Sequence, residues 1–153
     1  MRDVHKDINA PKLPFLIGIM GIDGNHPSDG MKAFRAAMAA PASLPEFKGN
    51  VVAVQTAPFW DDTLGAIEKK IGQVRAARQA LNKKVQDGKM TKEEAEVESR
   101  KLEAELISPE DAALWKRGAS NAGYHYLGSA KTFAQIGKAF AEALVELRPN
   151  QSS

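Results

Sequence analysis

The sequence contains no cysteine in its 153 residues, and aromatic residues make up only 7%. Without thiols the chain has no disulfide, no thiolate nucleophile and no Cys-ligated zinc site. No stretch reaches the roughly 18 consecutive apolar residues of a membrane-spanning helix. The formal net charge of +2 is too small to indicate a nucleic-acid or membrane partner. Residues 1–14 are polar, so we expect no export signal in this chain, and the cellular location stays unknown.

The apolar content is sufficient for a core, since 43% of the residues are hydrophobic and 26% are charged. The length suits a single domain over residues 1–153. Pro14–Ile22 reads PFLIGIMGI, apolar almost without alternation, as in a strand covered on both faces. Asn50–Ala57 is a second strand rich in β-branched residues, and Met31–Ala40 between them predicts a helix. This order predicts a right-handed βαβ unit and an α/β fold with parallel strands.

Two long helices are predicted in the middle of the chain, as an antiparallel helical hairpin inserted at about residues 64–107. The first has apolar residues at alternating spacings of three and four, with one polar break: Leu64, Ile67, Ile71, Val74, Arg78, Leu81 and Val85. Thr91 and Glu94 form the T-x-x-E signature that starts the second. Ser108 and Pro109 predict the start of a further short helix.

The two arms of the predicted hairpin carry opposite charge. Residues 64–89 hold seven Lys/Arg and two Asp/Glu, a net charge of +5, whereas residues 90–111 hold three Lys/Arg and eight Asp/Glu, a net charge of −5. One interpretation is that each arm neutralises the other. The alternative is a nucleic-acid surface, which would require steeply salt-dependent binding. Its residues would be Lys69, Lys70, Arg75, Arg78, Lys83 and Lys84.

The predicted sheet has only two strands, although strands that are apolar on both faces normally have neighbours on both sides. We therefore expect further strands from upstream sequence or from a partner chain. Until they are supplied, the chain should be only marginally stable or should self-associate through its exposed sheet edge.

His125 is the best single candidate for chemistry. It lies in a loop between Gly123 and Gly128, before the last predicted helix. Histidine suits proton transfer to and from a serine hydroxyl near neutral pH. The alternative is a structural histidine held by its tyrosine neighbours, Tyr124 and Tyr126.

The other candidates are weaker. Asp61 and Asp62 follow a strand, so either could orient a histidine, or one of them could cap the next helix. Asp23 and His26 share a polar loop but lack metal-ligand spacing, so no metal or other cofactor is expected. No G-x-S-x-G, G-D-S or G-Q-S block is present, and Ser120 and Ser129 suit a loop and a helix cap.

Three segments carry a resemblance to a known family: PFLIGIMGIDG, PEFKGNVVAVQTAPFWDD and LWKRGASNAGYHYLGSAKTFAQIGKAFAEAL. Together they resemble the C-terminal half of bacterial sialate O-acetylesterase-like carbohydrate esterases, which belong to the SGNH (GDSL-like) hydrolases. NAGYHYLGSAKT and the FWDD turn are its specific parts. The resemblance covers most of the chain and implies part of a three-layer α/β/α fold.

The resemblance also implies a function. A serine would attack an acetyl ester of a carbohydrate or sialic acid, with His125 as base and no metal. The family's serine and oxyanion blocks would precede Pro14, so we expect the chain alone to be inactive. Many relatives carry an aspartate where this chain has Ala122, which leaves Asp61 or Asp62 as candidate orienting acids. Relatives are often exported. The alternative function is a non-enzymatic interaction or scaffold module that uses the charged hairpin.

Overall fold

A computed structural model describes residues 1–147, which form two compact units. Unit 1 combines residues 1–60 with the C-terminal helix, and unit 2 is residues 61–129. The elements in chain order are α1 (Arg2–Asp7), β1 (Phe15–Ile19), α2 (Asp29–Ala39), β2 (Val51–Gln55), α3 (Asp62–Gln86), α4 (Lys92–Leu106), α5 (Pro109–Gly118) and α6 (Ala130–Leu147). Among the described residues, no helix is long and apolar enough to cross a membrane.

Unit 1 is built on two parallel strands. β1 pairs with β2 in a register that places Phe15 opposite Val51 and Ile19 opposite Gln55. The chain crosses from one strand to the next through α2, which packs on β1, and α6 packs on both strands. This arrangement confirms the predicted α/β class with parallel strands. Both strands are shorter than predicted, because turns interrupt the apolar segments after Ile19 and Gln55.

Close helix packing on the sheet depends on Gly18. A Cβ at this position would lie 2.7 Å from Cζ of Phe140 in α6, which is too short for any carbon contact. The missing side chain therefore lets the phenyl ring of Phe140 approach the strand backbone. Buried residues complete the core of unit 1: Ile19, Phe47, Val51, Val54, Ala57 and Thr132.

Strand β1 is poorly covered for so apolar a sequence. Its residues Phe15–Gly18 are all half-buried, and only Ile19 is fully buried. Within residues 1–147 its one strand neighbour is β2, so the other edge of β1 has no strand beside it. An interior parallel strand would be covered on both faces and at both edges. Strand β1 therefore has the apolar sequence of an interior strand but lies at an edge of the sheet.

Unit 2 is helical. The predicted apolar stripe of α3 is buried at Leu64, Ile67, Val74 and Leu81, and Arg78 interrupts it as predicted. The guanidinium of Arg78 is hydrogen-bonded to α4. Its Nε donates to Ser99 Oγ at 2.8 Å, and its Nη2 donates to Glu103 Oε2 at 2.8 Å. Contacts between α3 and α4 therefore include a polar link at their centre.

Side-chain caps fix where the helices of unit 2 begin. Thr91 and Glu94 form the predicted capping box at the start of α4, with reciprocal side-chain and backbone hydrogen bonds. Ser108 Oγ accepts the N–H of Asp111 at 3.1 Å, and Pro109 occupies the first turn of α5. These starts were readable from sequence because each depends on residues within one turn.

Candidate functional site

The loop that carries His125 is closed by its own backbone. The N–H groups of Ser120 and Asn121 both donate to the carbonyl of Leu127, at 2.8 and 3.0 Å. Ser120 Oγ donates to the carbonyl of Gly128 at 2.9 Å. His125 lies between the two donor residues on one side and Leu127 and Gly128 on the other, so these hydrogen bonds hold the backbone on either side of it.

Three successive residues after His125 have left-handed backbone. Tyr126, Leu127 and Gly128 have φ values of 51°, 60° and 62°. For a non-glycine residue this conformation costs about 1–2 kcal/mol. Burial of the Leu127 side chain, which is 0% exposed, offsets part of that cost. Such strain concentrates at functional sites, where the surrounding structure holds it in place.

Glu68 fixes the front of this loop. Its Oε1 accepts the backbone N–H of Gly123 at 2.8 Å, and its Oε2 lies 2.6 Å from where a Cβ of Gly123 would be. Any side chain at position 123 would therefore displace the carboxylate. Sequence reasoning missed Glu68, because it lies on α3, 55 residues before the glycine it holds. The one local signal was the glycine itself.

The imidazole of His125 is exposed at the tip of the loop. The ring of Tyr124, itself 71% exposed, packs edge-on against it with ring centres 4.5 Å apart. Within residues 1–147 no serine hydroxyl and no carboxylate is hydrogen-bonded to the imidazole. The imidazole is therefore open to groups from outside the described part of the chain.

The two candidate aspartates lie at the start of α3. Asp61 is the N-cap, and its Oδ1 accepts the N–H of Leu64 at 3.0 Å. Asp62 is exposed in the first turn of the helix. The structure thus gives Asp61 the capping role that was one of the two predicted alternatives, and it brings neither carboxylate into hydrogen-bonding contact with His125.

In unit 1, the loop after β1 is held by an arginine. Arg35 of α2 donates from Nη1 to the carbonyl of Gly24 at 2.9 Å and from Nη2 to the carbonyl of Ile22 at 2.6 Å. Its buried Nε has no hydrogen-bond partner. Asp23 and Gly24 both have positive φ, and His26 is exposed. No cluster of three metal-ligating side chains occurs in the described residues.

Hydrogen bonds lower the pKa of three carboxyl groups among the described residues. A hydrogen bond from Lys70 lowers the pKa of Asp111, and the hydrogen bond from the backbone of Thr91 lowers the pKa of Glu94. In unit 1, the hydrogen bond from Arg2 lowers the pKa of Glu46. All three carboxylates take part in helix caps or in ion pairs at the surface.

The chain is therefore of the α/β class, with an exposed histidine on a strained and anchored loop. In chemical terms, such a histidine can accept a proton from a hydroxyl brought to it. No family model, no curated protein and no solved structure matches the chain.

Proposed function

We propose that this chain supplies the histidine-bearing part of a serine-dependent carbohydrate acetylesterase of the SGNH type. In this proposal, His125 takes the proton from a serine hydroxyl as that hydroxyl attacks an acetyl ester. It then returns the proton to the leaving sugar alcohol. The serine and the oxyanion-binding groups come from polypeptide outside the described residues.

The observation that carries the proposal is the left-handed run that follows His125. A surface histidine without a role does not require strained backbone beside it. Here the two residues that follow His125, Tyr126 and Leu127, both have positive φ. The closing hydrogen bonds to Leu127 and Gly128 limit the motion of the loop, while the imidazole itself stays accessible. A general base requires this combination of fixed backbone and open ring, because it must meet its hydroxyl at hydrogen-bond distance.

Poor coverage of β1 supports the same interpretation. An apolar strand with an open edge is suited to receive a further parallel strand, and in the family that the chain resembles the serine block precedes this strand in the sequence. Asp61 is occupied as a helix cap, so the proposed mechanism uses His125 without a fixed carboxylate partner.

The test uses the longest reading frame that encodes this chain. Its product is assayed for acetate release from an O-acetylated sialic acid, beside the His125→Gln variant and the 153-residue chain alone. We expect the longer protein to be active, the chain alone to be inactive, and His125→Gln to lower kcat by about 10²–10⁴-fold.

His26→Gln is the matched control, since His26 is also an exposed loop histidine. It should leave kcat unchanged. Three results would overturn the proposal: no esterase activity in the longer protein, full activity in His125→Gln, or efficient turnover by the 153-residue chain.

A further inference from the structure

A groove of about 790 Å³ runs between α3 and α4 on the surface of unit 2. Its floor is apolar and formed by small or branched side chains: Ala77, Ala80, Leu81, Val97 and Leu102. Val97, which lines the groove, is 68% exposed. The floor thus has apolar surface that nothing in the described part of the chain covers.

The rim of the groove is acidic on the α4 side. Glu93, Glu94 and Glu98 lie along it with Glu105 at the far end, whereas the lysines on the rim are Lys84 and Lys101. The net rim charge is therefore −2. Glu94 is engaged in the capping box, but Glu93, Glu98 and Glu105 form no ion pair within residues 1–147.

Among the described residues, two ion pairs join the oppositely charged arms of residues 64–89 and 90–111. Arg78 pairs with Glu103, and Lys70 pairs with Asp111. Of the six glutamates of α4, Glu103 and Glu96 are in ion pairs and Glu94 is in the capping box. The other three are therefore available to something outside unit 2.

We propose that the groove binds an amphipathic helix of a partner protein, with large apolar side chains on one face and lysine or arginine along the flank. Helices commonly bind in this way, with apolar anchors one turn apart lying in a groove between two helices. The basic flank would face Glu93, Glu98 and Glu105, and the anchors would fill the space above Ala77 and Ala80.

A second copy of this chain fits the groove less well. The corresponding face of another copy carries the same acidic rim, with the same net charge of −2, so two such faces would repel each other. The charge of the groove therefore favours a foreign basic helix.

The probe for this site is a fluorescein-labelled synthetic peptide of about 15 residues, matching the roughly 20 Å of helix between Glu93 and Glu105. It carries leucine at heptad positions a and d and lysine at e and g. Binding to the full 153-residue chain is measured by fluorescence anisotropy. We expect a micromolar Kd that weakens as salt is raised. A peptide with glutamate in place of every lysine should bind at least tenfold more weakly.

Two groove variants and one control locate the binding. Glu98→Lys should raise Kd about tenfold, and Val97→Asp should abolish binding, while circular dichroism verifies that both remain folded. Glu110→Lys makes the same charge change on exposed α5, outside the groove, and should leave Kd unchanged.

Several outcomes would overturn the proposal. They are failure of the lysine peptide to bind, equal binding of both peptides, and binding that Val97→Asp leaves intact. A fourth is a dimer of the chain, seen by analytical ultracentrifugation, that Val97→Asp dissociates, because the groove would then belong to a second copy.

Discussion

Gly128 combines two constraints on the loop of His125. Its φ is +62°, and a Cβ there would lie 2.2 Å from Ser120 Oγ and 2.9 Å from the backbone nitrogen of Asn121. We expect Gly128→Ala to lower the free energy of unfolding by about 2–3 kcal/mol, because backbone strain and the displaced hydrogen bond of Ser120 both contribute. Chemical denaturation of the purified chain measures this loss.

The control for this prediction is Gly88→Ala. Gly88 also has a positive φ, of +69°, but a Cβ there would meet nothing within 4 Å. Its substitution isolates the backbone term and should cost about 1 kcal/mol. Equal losses for the two variants would show that crowding by Ser120 and Asn121 contributes nothing.

At the scale of single residues, the sequence predicted the location of the candidate site but not its supports. Two glycines around a histidine indicated an exposed loop, and the structure places an exposed His125 in a short, kinked 3-10 segment, Gly123–Gly128. Glu68 and Arg35 were missed, because each holds a backbone segment that is distant in sequence or on another element. Nothing in a linear pattern shows which carbonyl or N–H group a long side chain will reach.

Among the helices, Arg78 and Ser99 form a test of coupling between α3 and α4. Ser99 is 5% exposed and accepts a hydrogen bond from Arg78 Nε, so removing the guanidinium leaves a buried hydroxyl without that hydrogen bond. We expect Arg78→Met alone to cost about 1–2 kcal/mol and the double variant with Ser99→Ala to cost less than the sum of the single variants. Urea unfolding of the four proteins in the cycle measures the coupling, and strict additivity would contradict it.

A pH-dependent link joins α3 to α5. The hydrogen bond from Lys70 lowers the pKa of Asp111 below its ordinary value of 3.8, so the folded state favours the charged carboxylate. The stabilisation is therefore fully present above that ordinary value and is lost as the pH falls through the pKa of the folded state. We expect Lys70→Gln to raise the pKa of Asp111 and to reduce stability at neutral pH but not in acid.

An NMR titration of the carboxyl groups measures this shift directly. Lys69→Gln serves as the matched variant, since its lysine is the exposed neighbour on the same helix. If both variants move the pKa of Asp111 equally, the general charge of α3 rather than the Lys70 contact sets its value.

The starts of helices were easier to predict than the ends of strands. Thr91 with Glu94 and Ser108 with Pro109 encode their caps within one turn. Strand β1 ends at Ile19, although the apolar segment continues to Ile22. Its last carbonyl is bonded by the backbone N–H of Thr56 at 3.3 Å and by Thr56 Oγ1 at 2.6 Å, where the chain turns after β2. That limit comes from a residue 37 positions away, which local composition does not contain.

At the scale of the whole molecule, the open edge of β1 should govern association. We expect the apparent mass of the purified chain to rise with concentration in analytical ultracentrifugation, because unpaired strand edges attract one another. Leu16→Lys places a charge on the half-buried edge strand and should reduce this association. Gln55→Lys, at the exposed end of β2, should not. A wild-type chain that stays monomeric and melts sharply and reversibly would contradict the prediction.

Thr132 has one further consequence for how this polypeptide is organised. Its Oγ1 donates to the carbonyl of Phe59 at 3.0 Å, so the two points where the chain leaves and rejoins unit 1 are adjacent. The entropy of closing a loop grows only with the logarithm of its length, so polypeptide of very different lengths can connect two such points at similar cost. The 69 residues of unit 2 (61–129) can thus be shortened, lengthened or exchanged in evolution while the strands of unit 1 keep their register.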